Sequence, residues 1–552
     1  MKMRLWPGFC LLALQWGLRF GLPLILEDGI PYAILGSLAL GVLIMLWWAF
    51  FSKTPHGIRW WALLAMVLAP IIVRPLIHPS INTGMMGMMY PVYVVPTLCL
   101  ALVGWALIGR NWQKRRQLLT LPVFMLLAAG AWTLVRTGGF TGDVDQDFAF
   151  RWTPTPEELM LAQAKPLNEA SAIAFVTPEW PGFRGPRQDG SVSGTSIHSD
   201  WLTHPPEELW RSSIGPGWSS FAVQGDYFYT QEQRGEVETV SCYRMASGAA
   251  VWRHEDPVRF WESNAGAGPR STPTLDRGMV FALGATGLVN ALDATSGALL
   301  WQRDAAAETE VATPDWGFSG SPVVSGETLL VPVAGTLIAY QRLTGDPLWQ
   351  GPKSGVSYCT PQLFESGSGL QVLQLHEGGL TSFAPQDGQI LWEYPWKGYP
   401  IIQPAVLSSS ELLVAVTAES GLRRLNLEDP LSAPQEVWTT QGLKPYFNDF
   451  VVHGDYAYGF DGRILACIEL TSGERVWKGG RYGNGQLILL TDQDLLLVLS
   501  ERGDLALVQA KPDEFKEWAR VPALKGKTWN HPVLVNGTLL VRNAEEMAAF
   551  RL

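Results

Sequence analysis

Eight tryptophans recur at nearly even spacing through the last 343 residues of this 552-residue chain. The gaps between them run from 39 to 49 residues, and in five repeats a glycine stands four positions before the tryptophan. A fixed turn and a fixed aromatic at a period of about 40–50 residues are typical of a β-propeller with one blade per repeat. The spacing therefore predicts an all-β propeller of eight blades, marked by Trp210, Trp252, Trp301, Trp349, Trp392, Trp438, Trp477 and Trp518.

The clearest repeat reads ALDATSGALLW, from Ala291 to Trp301. Apolar and polar residues alternate on both sides of its Thr-Ser-Gly turn, as they do in paired strands. Gly297 supplies the positive φ that the turn needs, and Trp301 is placed to fill the space between two blades. We therefore interpret the repeated tryptophans as structural residues rather than as a platform for a ligand. Blades five and seven, LEDPLSAPQEVW and AKPDEFKEW, lack the glycine.

The two ends of the repeat region are expected to pair with each other. Glu545–Leu552 has the pattern of a third strand without a fourth, and Pro205–Ile214 that of a fourth strand with nothing before it. Pairing these segments would complete the eighth blade and remove the exposed edges of an open ring. A seven-bladed ring and an open ring remain the alternatives.

Five apolar segments precede the repeats, and most have about the 20 residues needed to cross a bilayer. They are approximately Leu5–Leu26, Ala33–Phe51, Trp60–Pro75, Met85–Ile108 and Leu118–Val135. The third is short unless it continues to Ile77. A cleaved signal peptide is an alternative for residues 1–26, although no good cleavage site follows.

The loops between these segments differ in charge. One side has no Lys or Arg before Arg136, and the other carries Lys2, Arg4, Lys53, Arg59, Arg110, Lys114, Arg115 and Arg116. The positive-inside rule then predicts a multi-pass protein of a bacterial inner (cytoplasmic) membrane, with a cytoplasmic N-terminus and a periplasmic propeller. Arg19 and Arg74 lie in or near the ends of spans, where a charge is either functional or extends to the membrane interface.

We expect three domains: a membrane domain of five transmembrane helices at 1–138, an extracytoplasmic connector at 139–204 and the propeller at 205–552. Within the connector, Pro156–Ala164 resembles a short amphipathic helix. The turn-rich segment Trp180–Gly194, WPGFRGPRQDGSVSG, is expected to lie along the rim of the propeller.

Composition and motifs exclude several classes of function. The net charge of −10 and pI near 5.4 do not favour binding to nucleic acid, which requires a basic surface. Of the five cysteines, Cys10 and Cys99 fall in apolar spans and the other three in different blades, which is neither a disulfide framework nor a metal motif. The sequence has no P-loop, HExxH, GxSxG or CxxCH motif, and so no c-type haem site.

Aligning the blades places eight residues around the mouth of the central channel. These are Ser220, Thr272, Ser321, Thr360, Gln403, Asp449, Gly485 and His531. Beside them lie aromatic residues, namely Trp218, Trp316, Tyr358, Tyr446, Tyr482 and Trp529. We predict a site for a planar polar ligand or a cation at this mouth, formed by Asn448, Asp449, Asn484, Trp529, Asn530, His531, Trp316 and Gln403. The alternative is a hydrated channel with polar walls. No residue is assigned to catalysis or to a metal.

The motif A-x-D-x-x-[ST]-G-x-x-x-W resembles that of the PQQ-like (quinoprotein alcohol dehydrogenase-like) repeat family over roughly residues 180–552. ALDATSGALLW and ACIELTSGERVW are the closest copies. The resemblance implies a propeller, and the family includes both PQQ-dependent dehydrogenases and non-catalytic members. Its alcohol-oxidising members carry adjacent cysteines that stack on the quinone, and this chain has no such pair. Its blades, near 43 residues each, also leave little room for the insertions that build a cofactor pocket.

The sequence therefore favours a membrane-anchored, non-catalytic binding or scaffolding module outside the cytoplasm. Its expected partners are the lipid bilayer and a protein or envelope ligand on the propeller face, with no nucleic acid and no cofactor. The alternative is a PQQ-dependent membrane dehydrogenase that uses PQQ with Ca²⁺ and passes electrons to the quinone pool. Asp449 is the only carboxylate among the eight channel positions, and a binding-site role predicts that Asp449→Ala leaves the fold intact.

Overall fold

A computed structural model describes residues 5–26, 29–142, 146–163, 176–417 and 420–552. The chain divides into two compact units. The helical unit comprises Met1–Pro154 with Glu262–Gly266, and the propeller unit comprises Thr155–Trp261 with Ala267–Leu552.

Five helical segments of the first unit are long and apolar enough to cross a membrane. We call them spans one to five: Trp6–Ile25, Ile30–Phe50, His56–Leu76, Met89–Gly109 and Lys114–Leu134. They confirm the five apolar segments predicted from sequence. Span three begins four residues earlier than expected, because its first turn contains His56, Gly57 and Arg59, whose low hydropathy concealed it. Lys2 and Arg4, which entered the orientation argument, lie outside the described residues.

Three spans change their helical form along their length. Span one is an α-helix over Trp6–Trp16, a π-helical turn over Gly17–Gly21 and a last turn over Leu22–Ile25. Spans three and five end in 3₁₀ turns, at Arg74–Leu76 and Ala131–Leu134. The unit is completed by the short helix Pro79–Asn82 and the strands Val135–Phe140 and Gln146–Phe150.

Arg19 lies in the π-helical turn and is buried within the helical unit. Its guanidinium carbon is 4.8 Å from the centre of the Tyr93 ring and 5.3 Å from that of Phe20. Aromatic rings attract a cation placed over their faces. The Arg19 side chain therefore packs against neighbouring aromatic rings within the helical unit.

The second unit is an eight-bladed propeller, as predicted. Blades one to four consist of the strands Ala222–Gln224, Tyr227–Arg234, Val237–Arg244 and Ala250–Asp256; Thr274–Asp276, Met279–Leu283, Leu288–Asp293 and Leu299–Asp304; Val323–Ser325, Thr328–Val333, Thr336–Gln341 and Pro347–Gln350; and Gln362–Ser366, Gly369–His376, Gly379–Phe383 and Ile390–Pro395. Blades five to eight consist of Ala405–Ser408, Glu411–Val414, Leu422–Asn426 and Gln435–Thr440; Val451–His453, Tyr456–Asp461, Ile464–Glu469 and Arg475–Arg481; Gln486–Leu490, Leu495–Leu499, Asp504–Gln509 and Glu517–Pro522; and Val533–Val535, Thr538–Arg542, Glu546–Arg551 and Glu207–Ser213.

The first strand of the repeat region closes the ring, which confirms the pairing expected from sequence. Glu207–Ser213 runs antiparallel to Glu546–Arg551, with Ser213 opposite Glu546. The buried Arg542 then joins blade eight to blade one, because it donates to the Thr230 hydroxyl (2.7 Å) and to the Gln231 carbonyl (2.9 Å). Closure therefore combines a complete sheet with a charged side chain that bridges the seam.

Seven of the eight repeated tryptophans fill the junctions between blades. The prediction was wrong for Trp518, which is 39% exposed, because Ala519 takes the equivalent place opposite Leu507 in blade seven. In the junction between blades one and two, the indole Nε1 of Trp252 donates to the Ala294 carbonyl at 3.1 Å. A Cβ added to Gly297 would come within 2.4 Å of the Trp252 ring, and this glycine has φ +71°. Glycine is therefore required at this turn by conformation and by space. The same contact recurs at Gly248, Gly345, Gly388 and Gly473.

The junction between blades four and five is made differently because blade five lacks the glycine turn. The indole of Trp392 donates to the Gln371 side chain at 3.0 Å, and the Gln371 amide donates to the Pro430 carbonyl at 2.8 Å. A buried glutamine thus connects the tryptophan to the next blade.

Three short helical elements complete the unit, and one was expected from sequence. Pro156–Ala162 begins with a capping box formed by Thr155 and Glu158. Its start agrees with the prediction, and the expected end at Ala164 lies outside the described residues. The remaining elements are the helix Ala305–Thr309, the 3₁₀ turn Thr491–Gln493 and the short strand Ser191–Val192. The short strands Trp261–Glu262 and Gly266–Ala267 pair with each other, and Glu262 and Gly266 belong to the helical unit.

Candidate functional site at the channel mouth

The small hydroxyl residues of the predicted ring hold neighbouring blades together. The backbone N–H of Ser220 donates to the Thr272 hydroxyl, that of Thr272 to Ser321, and that of Ser321 to Thr360, each at 2.9 Å. The Ser220 hydroxyl donates in turn to the His531 carbonyl at 2.6 Å. All of these residues are buried. On this side of the ring the polar residues therefore link blades and do not face a ligand.

The segment Trp180–Val192, which we call the channel segment, runs along the innermost strands. Trp180 pairs with Val223 of blade one, and the Pro181 carbonyl accepts from the N–H of Leu275 in blade two at 2.7 Å. Ser191–Val192 adds to blade seven as a parallel strand beside Leu489–Leu490. The expectation that this segment lies along the rim is therefore wrong. Its glycines and prolines allow a compact run of turns that fits between the blades.

Arg184 is the central residue of the channel segment, and it forms an ion pair with Asp449. Its Nη1 is 3.5 Å from Asp449 Oδ1, and its Nη2 donates to the carbonyls of Phe450 (2.6 Å) and Asp189 (3.0 Å). Both charged side chains are almost completely buried. Burial raises the pKa of Asp449, while the Arg184 guanidinium opposes this shift. The only carboxylate of the predicted ring is therefore an internal counter-ion.

Four other predicted site residues are also buried. Asn448 accepts from the Tyr446 N–H at 3.0 Å and so shapes its own loop, whereas Asn530 donates to the Ser219 carbonyl at 2.8 Å and links blade eight to blade one. The Nδ1–H of His531 donates to the Pro532 carbonyl at 2.8 Å. Burial, and then the charge of Arg184, lower the pKa of His531 to about 3. The Gln403 amide is 3.5 Å from the Gln362 side chain.

Trp316 and Trp529 lie in a cluster of aromatic side chains across the loops that precede the innermost strands. We call it the mouth cluster: Trp218, Trp316, Tyr358, Tyr399, Tyr446, Phe447 and Trp529. Ring centres are 4.9 Å apart for Trp218 and Trp529, 5.0 Å for Phe447 and Trp529, and 6.4 Å for Trp316 and Tyr446. Through these contacts the cluster connects loops of blades one, three, four, five, six and eight.

The mouth cluster presents aromatic surface to solvent. Tyr399 and Tyr446 are 37% and 41% exposed, and Trp316 and Trp529 are half-buried. The Lys527 ammonium lies 4.5 Å from the centre of the Trp529 ring and 5.3 Å from that of Trp218. The surface therefore combines tyrosine and tryptophan rings with a cation at one edge.

Glu501 holds part of this surface in position. Its carboxylate accepts from the Trp529 indole at 2.7 Å and from the N–H of Asn484 at 3.1 Å. Asn484, a predicted site residue, is half-buried beside it.

Sequence reasoning missed Arg184, Gln486 and Glu501. Gln486 links neighbouring blades, because its side-chain amide donates to the carbonyls of Phe447 and Trp529 at 3.3 and 3.1 Å. The sequence alignment had placed Gly485, one residue earlier, at this ring position. A signal for Arg184 was present: a lone carboxylate in a ring of neutral groups needs a cation when it is buried. Glu501 lies in a hairpin between two strands of blade seven, and no repeat position marks it.

The comparisons with known proteins agree with this architecture. A family model described as outer membrane protein assembly factor BamB, of the PQQ-like repeat type, matches residues 205–357 and 238–479. The propeller belongs to the PQQ-like repeat family. The outer membrane protein assembly factor BamB of Yersinia pestis is 24% identical over 363 residues, covering 62% of this chain and 77% of that protein.

Two solved structures of PQQ-like repeat proteins share the fold. Quinohemoprotein alcohol dehydrogenase ADHIIG from Pseudomonas putida HK5 superposes with a TM-score of 0.51 at 12% identity, covering 68% of this chain and 80% of that one. Quinohemoprotein alcohol dehydrogenase from Comamonas testosteroni also gives 0.51, at 11% identity, covering 72% and 84%. At these identities the likeness concerns the fold alone.

Proposed function

We propose that this protein is an extracytoplasmic binding module that holds a partner polypeptide on the mouth cluster. We further propose that spans one to five anchor it in a bacterial inner membrane, with the N-terminus in the cytoplasm. The observation that carries the proposal is the exposed aromatic surface over a channel that the chain fills with its own segment. A ligand then meets the outer face of the cluster rather than the channel interior.

The chemistry of the mouth cluster suits a protein partner. Tryptophan and tyrosine are enriched where binding energy concentrates in protein interfaces, because they bury a large rigid surface and keep a polar group for hydrogen bonding. Tyr399 and Tyr446 expose such rings, and Trp316 contacts both of them. The similarity to proteins named as outer membrane protein assembly factors supports a polypeptide of the cell envelope as the partner.

The residues of the channel do not fit PQQ with Ca²⁺. Such a cofactor needs space and free oxygen ligands for its hard cation, but the channel segment lies along the innermost strands and Asp449 is paired with Arg184. Among the described residues, no three His, Cys, Asp or Glu side chains are grouped so as to hold a metal ion. We therefore assign no reaction step to a quinone.

Site-specific photo-crosslinking in living cells tests the binding proposal. A photoreactive phenylalanine analogue would replace Tyr446 or Tyr399, and the matched control would replace Trp518, which is 39% exposed on an outer strand of blade seven. We expect the same discrete protein adduct from both mouth positions and none from position 518. Equal adducts from all three positions, or none from the mouth, would contradict the proposal.

A reporter that is active only in the cytoplasm tests the orientation. Fused after Leu552, it should be inactive, whereas the same reporter fused within the loop between spans two and three should be active. Activity of the Leu552 fusion would reverse the proposed topology.

A further inference from the structure

A cavity of about 310 Å³ opens in the helical unit and is lined by residues of spans two, three and four. Most of its wall is apolar, including Met45, Met66 and Leu98. Pro70 lies inside span three and also lines the cavity. A proline within a helix removes one backbone hydrogen bond, and its ring occupies the position of the missing N–H.

The cavity is elongated along the helices and polar at one end. Arg74 follows the α-helical part of span three, and Tyr90 is the second residue of span four, so both mark the same end. Met66 precedes Arg74 by eight residues, and Leu98 follows Tyr90 by eight. At about 1.5 Å per residue, the apolar wall extends roughly 12 Å from the polar end. A slot of this kind suits a hydrocarbon chain.

The polar end offers hydrogen-bond donors to a ligand. The Tyr90 side chain is 3% exposed, and its hydroxyl has no hydrogen-bond partner within the described part of the chain. A buried hydroxyl without a partner is unfavourable, so a partner supplied by a ligand would stabilise it. Arg74 donates from Nε to Asn82 Oδ1 at 2.9 Å, which orients the guanidinium at the cavity entrance.

We propose that this cavity is a phospholipid site, in which one acyl chain fills the slot and the lipid phosphate pairs with Arg74. A guanidinium and a phosphate form short, charge-assisted hydrogen bonds in a paired geometry. The Tyr90 hydroxyl then donates to an ester carbonyl of the same lipid. The proposal rests on the membrane placement of the spans, since only there does a phospholipid surround the cavity.

Photolabelling of the full chain tests this site. The protein would be reconstituted in vesicles of phosphatidylethanolamine and phosphatidylglycerol that contain a trace of phosphatidylglycerol with a diazirine in one acyl chain. After illumination, mass spectrometry would map the labelled peptides. We expect label to concentrate on the cavity walls around Met66 and Leu98. Label spread evenly over the lipid-facing residues of all five spans would overturn the proposal.

Substitutions of arginine distinguish binding of the lipid phosphate at Arg74 from a general attraction of anionic lipid to positive charge. Arg74→Gln should reduce label at the cavity by about tenfold, the factor that corresponds to roughly 1.4 kcal/mol. Arg74→Lys should retain most of the label, and Arg110→Gln, an exposed arginine at the end of span four outside the cavity, should retain all of it. Equal loss in Arg74→Gln and Arg110→Gln would overturn the proposal.

Two further variants test whether the ligand needs the space of the cavity and whether it accepts a hydrogen bond from the Tyr90 hydroxyl. Val94→Phe fills the cavity from a buried wall position and should abolish the label without changing any charge. Tyr90→Phe should weaken labelling less than Arg74→Gln does. Unchanged labelling in Val94→Phe would contradict the site. A separate experiment tests the membrane anchoring on which the site depends. If alkaline carbonate extracted the full chain from membranes, the proposed anchoring by spans one to five would be wrong, whatever the labelling showed.

Discussion

The blade junctions and the channel of the propeller are both tightly packed, but they use different kinds of contact. At most junctions, a tryptophan of one blade packs against the turn glycine of the next, as Trp252 packs against Gly297. In the channel, blades one to four repeat a serine or threonine hydroxyl, but the other blades contribute different side chains and the channel segment supplies a cation. Arg184 of that segment pairs with Asp449, the only carboxylate among the eight ring positions.

The difference shows how a repeat protein separates stability from specificity. Repeated contacts stabilise any ring of this kind, because each blade needs the same partner on its neighbour. The channel and its mouth vary from blade to blade, so they can distinguish one ligand from another. The mouth cluster belongs to this variable part, which is why we assign binding to it.

The largest effect is expected from breaking the buried ion pair of the channel. Arg184→Ala or Asp449→Ala leaves an unpaired buried charge and should lower the free energy of unfolding by about 3–5 kcal/mol. The buried ion pair therefore predicts a larger effect than the sequence did, from which Asp449→Ala was expected to leave the fold intact. Urea unfolding would be followed by thiol labelling of the buried Cys242, Cys359 and Cys467, which report on three separate blades.

A second ion pair in the channel segment provides the control. Arg187 and Asp189 are 2.9 Å apart but exposed, so Arg187→Ala should change stability by about 0–1 kcal/mol. The double variant Arg184→Met with Asp449→Leu should recover much of the loss, because no charge is left buried. If the single and double variants were equally unstable, the ion pair would not be the cause.

The next effect concerns the blade junctions. Gly297→Ala should cost about 2–4 kcal/mol, because the new Cβ meets the Trp252 ring and the residue keeps a positive φ. Gly454→Ala has a similar positive φ but open space around its Cβ, and should cost only about 1–2 kcal/mol. The same urea titration measures both. Equal losses would mean that backbone strain alone, and not the tryptophan contact, requires glycine at the junction.

The smallest effect is a pH dependence carried by His531 in the channel. The folded state keeps this imidazole neutral, with a pKa lowered to about 3, whereas the unfolded chain takes up a proton below about 6.5. Its contribution to stability is therefore complete above pH 6.5 and is lost as the pH falls towards 3. Between pH 7 and 5, the wild type should lose about 2 kcal/mol more than His531→Gln. Parallel losses in the two proteins would show that His531 does not titrate as described.

The parts of the fold that sequence predicted are those that repeat or that follow from length and hydropathy. The period of the tryptophans predicted the blade count, and the run from Ile30 to Phe50 contains no charged residue. A cation beside Asp449 could be expected once its burial was known, but Arg184 could not be identified as that cation, because it lies far away in sequence, in a segment without a repeat. Gln371 and Glu501 were missed because each replaces or supports a repeated contact from a position that the repeat motif does not mark.

Titration of the full chain with PQQ and Ca²⁺ tests most directly whether the propeller is a binding module with a filled channel. In detergent, the visible absorption of PQQ and the heat of mixing would be followed for the wild type. We predict no saturable binding, because the channel segment lies along the innermost strands and Asp449 is paired with Arg184. Saturable binding at one quinone per chain would contradict this account and favour a dehydrogenase.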